Sequence, residues 1–156
     1  MKKNLIYIFI ASLCFLSCSQ DDKDPQFNIL GYWNVSLVSA PMTNTVLSGD
    51  QIVFSERYIF NDDGTFIKFS TRNNRSIEPL SEPIQALGLY EMKDALDPSY
   101  VFELTLIFET NRGMAANCGN EGVENLLFTR ENRLVNNSWS ACDGLHFVYQ
   151  KNSSRF

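Results

Sequence analysis

The stretch VFELTLIFE (residues 101–109) decides the fold class of this chain of 156 residues. Its even positions are all large and apolar, whereas its odd positions include Glu103, Thr105 and Glu109. Because successive side chains of a strand point to opposite faces of a sheet, a period of two indicates a strand with one buried face. The stretch therefore predicts a β-strand.

Similar alternation, interrupted by turn residues, predicts seven more strands and one turn of helix near residues 81–86. Between two of these strands, the sequence NDDG (residues 61–64) predicts a tight hairpin turn, because Gly tolerates a positive φ and Asn or Asp caps the turn. The predicted strands are residues 29–39, 51–61, 65–71, 86–93, 100–110, 123–130, 132–140 and 144–151. We expect an all-β, eight-stranded antiparallel up-and-down barrel, which leaves no exposed sheet edge; a β-sandwich is the alternative.

Three short motifs, in this order, resemble those of lipocalin-like lipoproteins. They are ILGYWNV (residues 29–35) with its Gly-x-Trp opening, YIFNDDGTF (residues 58–66) and GLY (residues 88–90). The resemblance covers roughly residues 28–93, and beyond them only the number of strands supports it. It implies a lipocalin-like barrel that binds a small, mainly apolar ligand.

The N-terminus has the pattern of an export signal. Lys2 and Lys3 precede LIYIFIASLCFLS (residues 5–17), an uncharged run of 13 residues that is shorter than the roughly 20 residues of a membrane-spanning helix. Leu16-Ser17-Cys18 resembles the lipobox of bacterial lipoproteins, although Phe15 stands where Leu is more usual. That resemblance implies cleavage before Cys18 and lipid attachment to its sulfur, which would anchor the protein without a spanning segment. A permanent helical anchor is the alternative.

The segment after Cys18 is strongly acidic. SQDDKD (residues 19–24) is similar to the export signal of Bacteroidetes-type surface lipoproteins, and the alternative is a plain solvated tether. We therefore divide the chain into a signal peptide (residues 1–17), an acidic tether (residues 18–26) and one barrel domain (residues 27–156). The predicted location is the outer membrane, lipid-anchored and facing the exterior.

The charge of the mature chain limits its partners. Loss of Lys2 and Lys3 with the signal leaves 11 basic against 18 acidic residues, a net charge of −7. A chain this acidic is a poor match for nucleic acid or for an anionic lipid surface, so we expect the membrane to be reached through the lipid anchor only.

The four cysteines have separate predicted fates. Cys14 leaves with the signal and Cys18 carries lipid, so Cys118 and Cys142 remain, and two thiols in an oxidising compartment predict a disulfide. In an up-and-down barrel their two loops lie at the same rim, which is the proximity that a disulfide needs. A metal site of Cys118, Cys142 and His146 is the alternative; without paired CxxC spacing or a fourth ligand we predict no metal and no cofactor.

Strand parity selects the residues that face the barrel interior. Trp33, Val35 and Leu37 face inward on the first predicted strand, and the second adds the inward residues Ile52, Phe54, Glu56, Tyr58 and Phe60. We take Trp33, Phe54, Glu56, Tyr58 and Phe60 as the candidate ligand-binding residues, with Glu56 orienting a polar group of the ligand. The alternatives are a solid barrel core, and a Glu56 that reaches solvent or pairs with Arg57 or Arg72.

Enzymatic activity has no motif to support it. Ser140, Asp143 and His146 are a Ser-His-Asp set by residue type, but no Gly-x-Ser-x-Gly elbow, Walker loop or HExxH helix is present. We predict a non-enzymatic protein. Two functions remain open: a lipoprotein that binds an apolar ligand in its barrel, and a solid barrel that docks on an outer-membrane partner in nutrient uptake or envelope maintenance.

Overall fold

The computed structural model describes residues 27–73, 76–119 and 121–152. Within these ranges the chain forms nine strands joined by turns and loops, some of which include a single 3₁₀ turn. The strands are β1 (Gly31–Ala40), β2 (Thr45–Ser48), β3 (Glu56–Phe60), β4 (Thr65–Arg72), β5 (Pro79–Asp94), β6 (Tyr100–Phe108), β7 (Val123–Thr129), β8 (Arg133–Asn136) and β9 (His146–Lys151).

Eight of the strands close into an antiparallel barrel. The hydrogen-bonded order is β1-β3-β4-β5-β6-β7-β8-β9, and β9 pairs again with β1. The short strand β2 lies outside this ring and extends the pairing of β1 through residues 37–40. The all-β, eight-stranded antiparallel barrel predicted from the sequence is confirmed, and because the sheet closes on itself the sandwich alternative is wrong. No helix in the described ranges has the length and apolarity needed to span a membrane.

Three local predictions are wrong. The second predicted strand begins only at Glu56, because a capping box between Ser48 and Gln51 holds residues 49–51 in a 3₁₀ turn. The predicted helical turn at residues 81–86 belongs to β5, where Ala86 pairs with Lys68 of β4. The seventh predicted strand stops at Asn136, and residues 140–142 form another 3₁₀ turn.

A β-bulge changes the parity of β1. The pairing of β1 with β9 shifts register between Val35 and Leu37. Trp33, before the bulge, points inward as predicted and is fully buried, whereas beyond the bulge Val38 is the buried residue and Leu37 is only half-buried. The prediction that Leu37 faces inward is therefore wrong, because the extra residue of a bulge reverses the alternation that follows it.

Aromatic side chains fill the barrel interior. Tyr58 contacts Tyr149 edge to face at 5.0 Å between ring centroids, and Phe66 contacts Phe108 in the same way at 4.9 Å. Gly88 lets β5 approach β6 closely, because a Cβ there would lie 2.1 Å from the carbonyl oxygen of Ile107. The interior is thus a close-packed core.

The two ends of the barrel differ. One end, here called the disulfide rim, carries the β1–β3, β4–β5, β6–β7 and β8–β9 connections. The other, here called the tight-turn rim, carries the β3–β4, β5–β6 and β7–β8 connections. The N-terminal described residues lie at the tight-turn rim. There Phe27 packs against Phe128 at 6.1 Å, and Lys151 Nζ donates to the Asn28 carbonyl at 2.6 Å. The chain therefore joins the barrel at the end opposite the longer loops.

Candidate functional site

The five predicted ligand-binding residues lie in the packed interior. Trp33, Phe54, Glu56, Tyr58 and Phe60 are all buried, with exposed fractions of at most 7%. Phe54 and Glu56 also border a groove of about 460 Å³ at the place where β1 leaves β3 to pair with β2. The five side chains pack against or bond to other core residues. This is the arrangement that the solid-barrel alternative predicts.

Glu56 is the centre of one half of a buried polar network. Its carboxylate accepts hydrogen bonds from Tyr149 Oη at 2.6 Å and Ser70 Oγ at 3.1 Å. Arg72 pairs with the same carboxylate, with its Nε 2.9 Å from Oε2, and Lys68 Nζ lies 3.7 Å from Oε1. Of the alternatives for Glu56, pairing with Arg72 is the one observed.

Glu124 is the centre of the other half. Its carboxylate accepts hydrogen bonds from Lys68 Nζ at 3.0 Å, Asn136 Nδ2 at 2.6 Å and the backbone N–H of Ala116 at 2.9 Å. Tyr58 Oη donates to Oε1, which also accepts from Asn136, whereas Lys68 and Ala116 donate to Oε2. Lys68 links the two halves and also donates to the Met114 carbonyl at 3.0 Å. Two buried carboxylates therefore balance two buried cations, the condition under which charge is tolerated inside a protein.

The network controls the ionisation of its members. Burial by itself would raise the pKa of Glu56, but the charges of Lys68 and Arg72 and the hydrogen bonds from Tyr149 and Arg72 outweigh it and lower the pKa from 4.5 to about 2. Burial, reinforced by the carboxylates of Glu124 and Glu56, raises the pKa values of Tyr58 and Tyr149 well above 10.0. Glu56 is thus a carboxylate and both tyrosines are hydrogen-bond donors at neutral pH.

The low pKa of Glu56 predicts an acid-sensitive contribution to stability. An unfolded-state pKa of 4.5 and a folded-state pKa of about 2 correspond to about 3 kcal/mol at neutral pH. A lowered folded-state pKa gives stability that is fully present above pH 4.5 and is lost as the pH falls towards 2. Urea unfolding from pH 7 to pH 2 should show a loss about 3 kcal/mol larger for the wild type than for Glu56→Gln. Parallel pH dependence in the two proteins would contradict this expectation.

Sequence reasoning missed the Lys68 and Glu124 members of the network. Both side chains occupy inward-facing positions of their strands. Lys68 lies two residues after the buried Phe66 in β4, and Glu124 lies two residues before the buried Leu126 in β7. The alternation of apolar and polar residues could have indicated both, because a charged residue on the apolar face of a strand needs a buried partner of opposite charge.

A cleft of about 640 Å³ opens at the disulfide rim. The Cys118–Cys142 disulfide predicted from the sequence is present and forms part of its wall, so both sulfurs that the metal alternative required are bonded to each other. The other lining residues come from the β4–β5, β6–β7 and β8–β9 loops; they are Ser76, Ile77, Asn117, Trp139, Asp143, Gly144 and Leu145.

Tight packing on the β8–β9 loop shapes the cleft wall. Gly144 lies directly against Trp139, where an added Cβ would be 2.4 Å from the Trp139 Cβ. Behind Trp139, the Arg72 guanidinium lies 5.3 Å from the indole ring and 4.4 Å from the Phe147 ring, and its Nη1 donates to the Asn73 carbonyl at 3.0 Å. Arg72 therefore joins the buried network to the base of the rim loops.

Ser140 and His146 meet at the same rim, with Ser140 Oγ 2.7 Å from His146 Nε2. The Ser140 hydroxyl donates to the Asn137 carbonyl at 2.5 Å. The two contacts connect the 3₁₀ turn of residues 140–142 to Asn137 and to the start of β9.

Comparison with known proteins adds no relative from which a role could be transferred: no family model matches the chain, and neither a curated protein nor a solved structure is significantly similar to it.

Proposed function

We propose that this protein is a lipid-anchored outer-membrane lipoprotein, exposed to the exterior, which binds a small ligand in the cleft at the disulfide rim. The barrel is compatible with a lipocalin-like binding domain, but its interior is filled with side chains. The observation that carries the proposal is the cleft of about 640 Å³, which is within the usual size range of small-molecule sites.

The position of the N-terminal residues supports this arrangement. Phe27 lies at the tight-turn rim, and only residues 19–26 separate it from the proposed lipid attachment site at Cys18. Eight residues span at most about 28 Å when fully extended. A lipid anchor at Cys18 would therefore hold the tight-turn rim towards the membrane and present the cleft to the medium.

The cleft offers a ligand both apolar and polar contacts. Ile77 and Leu145 are half-buried and pack against the core, and Trp139 is 7% exposed. Asn117 and Asp143 contribute polar groups to the lining. A pocket of this kind fits a small ligand with an apolar body and few polar groups.

Native mass spectrometry of the protein purified from its own host tests the ligand. We expect a small molecule to be retained by the wild type and lost in Ile77→Gln, because the change places an amide in the apolar wall of the cleft. Leu96→Gln is the matched control, since Leu96 is 91% exposed in a turn of the tight-turn rim. A bare wild-type mass, or a ligand that survives Ile77→Gln, would contradict the proposed cleft.

A second candidate is docking on an outer-membrane partner through the barrel wall. Leu87, Leu89 and Ile107 are each more than 40% exposed, and Leu89 pairs directly with Ile107 across β5 and β6. Contiguous exposed apolar side chains of this kind mark protein interaction surfaces. This patch lies on the barrel wall, whereas the cleft lies at the disulfide rim. Substitutions can therefore separate the two candidates.

A further inference from the structure

We propose that the cleft at the disulfide rim selects a small organic cation, a protonated amine carried on an apolar body. The inference rests on the proposed function, because it names the class of ligand for the same site. Three features support it: the carboxylate in the cleft wall, the apolar side chains beside it and the charge of the surrounding loops.

Asp143 supplies the carboxylate. It follows the 3₁₀ turn of residues 140–142 in the left-handed conformation, at φ 57°, and its backbone N–H donates to the Ser140 carbonyl at 3.3 Å. The next residue is Gly144, which is packed against Trp139. Local backbone structure thus fixes the main chain of Asp143 at the cleft next to the Trp139 segment, with its side chain exposed.

The apolar lining fits the other end of such a ligand. Ile77 and Leu145 approach the cleft from different loops, and both pack against the core. An ammonium group at Asp143 would leave the attached carbon skeleton to cover these side chains. A ligand with either part alone would make only half of these contacts.

The loops around the cleft favour positive charge. The described residues of the disulfide rim include four more exposed carboxylates, on Asp50, Glu78, Glu109 and Glu121. Arg112 is an exposed cation of the same rim, and its Nη2 donates to the Glu121 carbonyl at 3.0 Å.

The other cations among the described residues do not reverse this field; Arg75 lies outside those residues. Arg57, at the disulfide-rim end of β3, lies over the Phe69 ring at 4.8 Å. Arg72 and Lys68, below the cleft, are balanced by Glu56 and Glu124. The basic residues Lys93, Arg130, Arg133 and Lys151 lie towards the tight-turn rim. A negative potential at a cleft raises the local concentration of cations and disfavours anions.

Three probes of similar size and different charge test the selection: benzylammonium, benzyl alcohol and phenylacetate. The full chain is titrated with each at pH 7 and low ionic strength, and binding is followed by the indole N–H signal of Trp139. The indole of Trp33, which donates to the Ile29 carbonyl inside the barrel, is the control signal in the same spectra. We expect benzylammonium to bind about 5- to 10-fold more tightly than benzyl alcohol, and phenylacetate to bind most weakly.

Asp143→Asn should reduce the affinity for benzylammonium to that for benzyl alcohol and leave benzyl alcohol binding unchanged. Asp63→Asn, in a turn of the tight-turn rim, is the matched control and should leave all three affinities unchanged. Equal affinities for the three probes, or a preference for phenylacetate, would overturn the cation selection while leaving a binding cleft in place. Failure of all three probes to shift the Trp139 signal would overturn both this inference and the proposed cleft.

Discussion

Replacing Glu124 by Ala is expected to lower the free energy of unfolding by about 3–5 kcal/mol, because removal of one partner leaves a buried charge uncompensated. Glu124 is fully buried and accepts four hydrogen bonds, among them those from Lys68 and Asn136. Without it, Glu56 is the one carboxylate left to balance Lys68 and Arg72. Urea unfolding at pH 7 measures the change.

Two comparison variants separate this effect from general damage. Glu91→Ala removes an exposed carboxylate of β5 and should change the free energy of unfolding by less than about 0.5 kcal/mol. Adding Lys68→Met to Glu124→Ala should restore part of the loss, because the uncompensated cation is then absent. A loss below about 1 kcal/mol for Glu124→Ala alone would show that the network is not a stabilising unit.

Replacing Cys18 by Ala is expected to reduce the incorporation of labelled palmitate to background. Cys18 lies outside the described residues, so the prediction rests on the lipobox resemblance of Leu16-Ser17-Cys18. Each buried methylene contributes about 0.8 kcal/mol to membrane binding, so the loss of two or more acyl chains removes the whole anchor.

Cys14→Ala is the matched control, because Cys14 lies in the same segment but does not follow the lipobox residues. It should incorporate palmitate as the wild type does. Continued labelling of the Cys18 variant would refute the lipoprotein proposal, and equal loss of labelling in both variants would refute the assignment to Cys18.

Much of the fold was predictable because it depends on local alternation. The strand at residues 101–109 is detectable without any partner, and the barrel order follows from consecutive antiparallel pairing. The errors occur where one local feature changes the alternation. Ile52 and Phe54 keep a strand-like spacing, but the turn that starts at Gly49 delays the strand to Glu56. The bulge after Val35 buries Val38 in place of Leu37, and neither residue type signals a bulge.

The candidate site was less predictable because it depends on tertiary contacts. The disulfide followed from counting cysteines, and the parity of Glu56 was correct. The register between β3 and β4 brings Glu56 together with Lys68 and Arg72 in the interior. The cleft is assembled from three loops that are far apart in sequence, and no single segment carries its pattern.

The buried charges also restrict how the barrel can assemble. Lys68, Ser70 and Arg72 occupy alternate positions of β4 and face polar partners on β3 and β7. A slip of β4 by one residue would turn Lys68 and Arg72 to solvent and leave Glu56 and Glu124 inside without a cation. The network therefore adds an electrostatic penalty for a misregistered β4 to the penalty that any strand with a buried face carries.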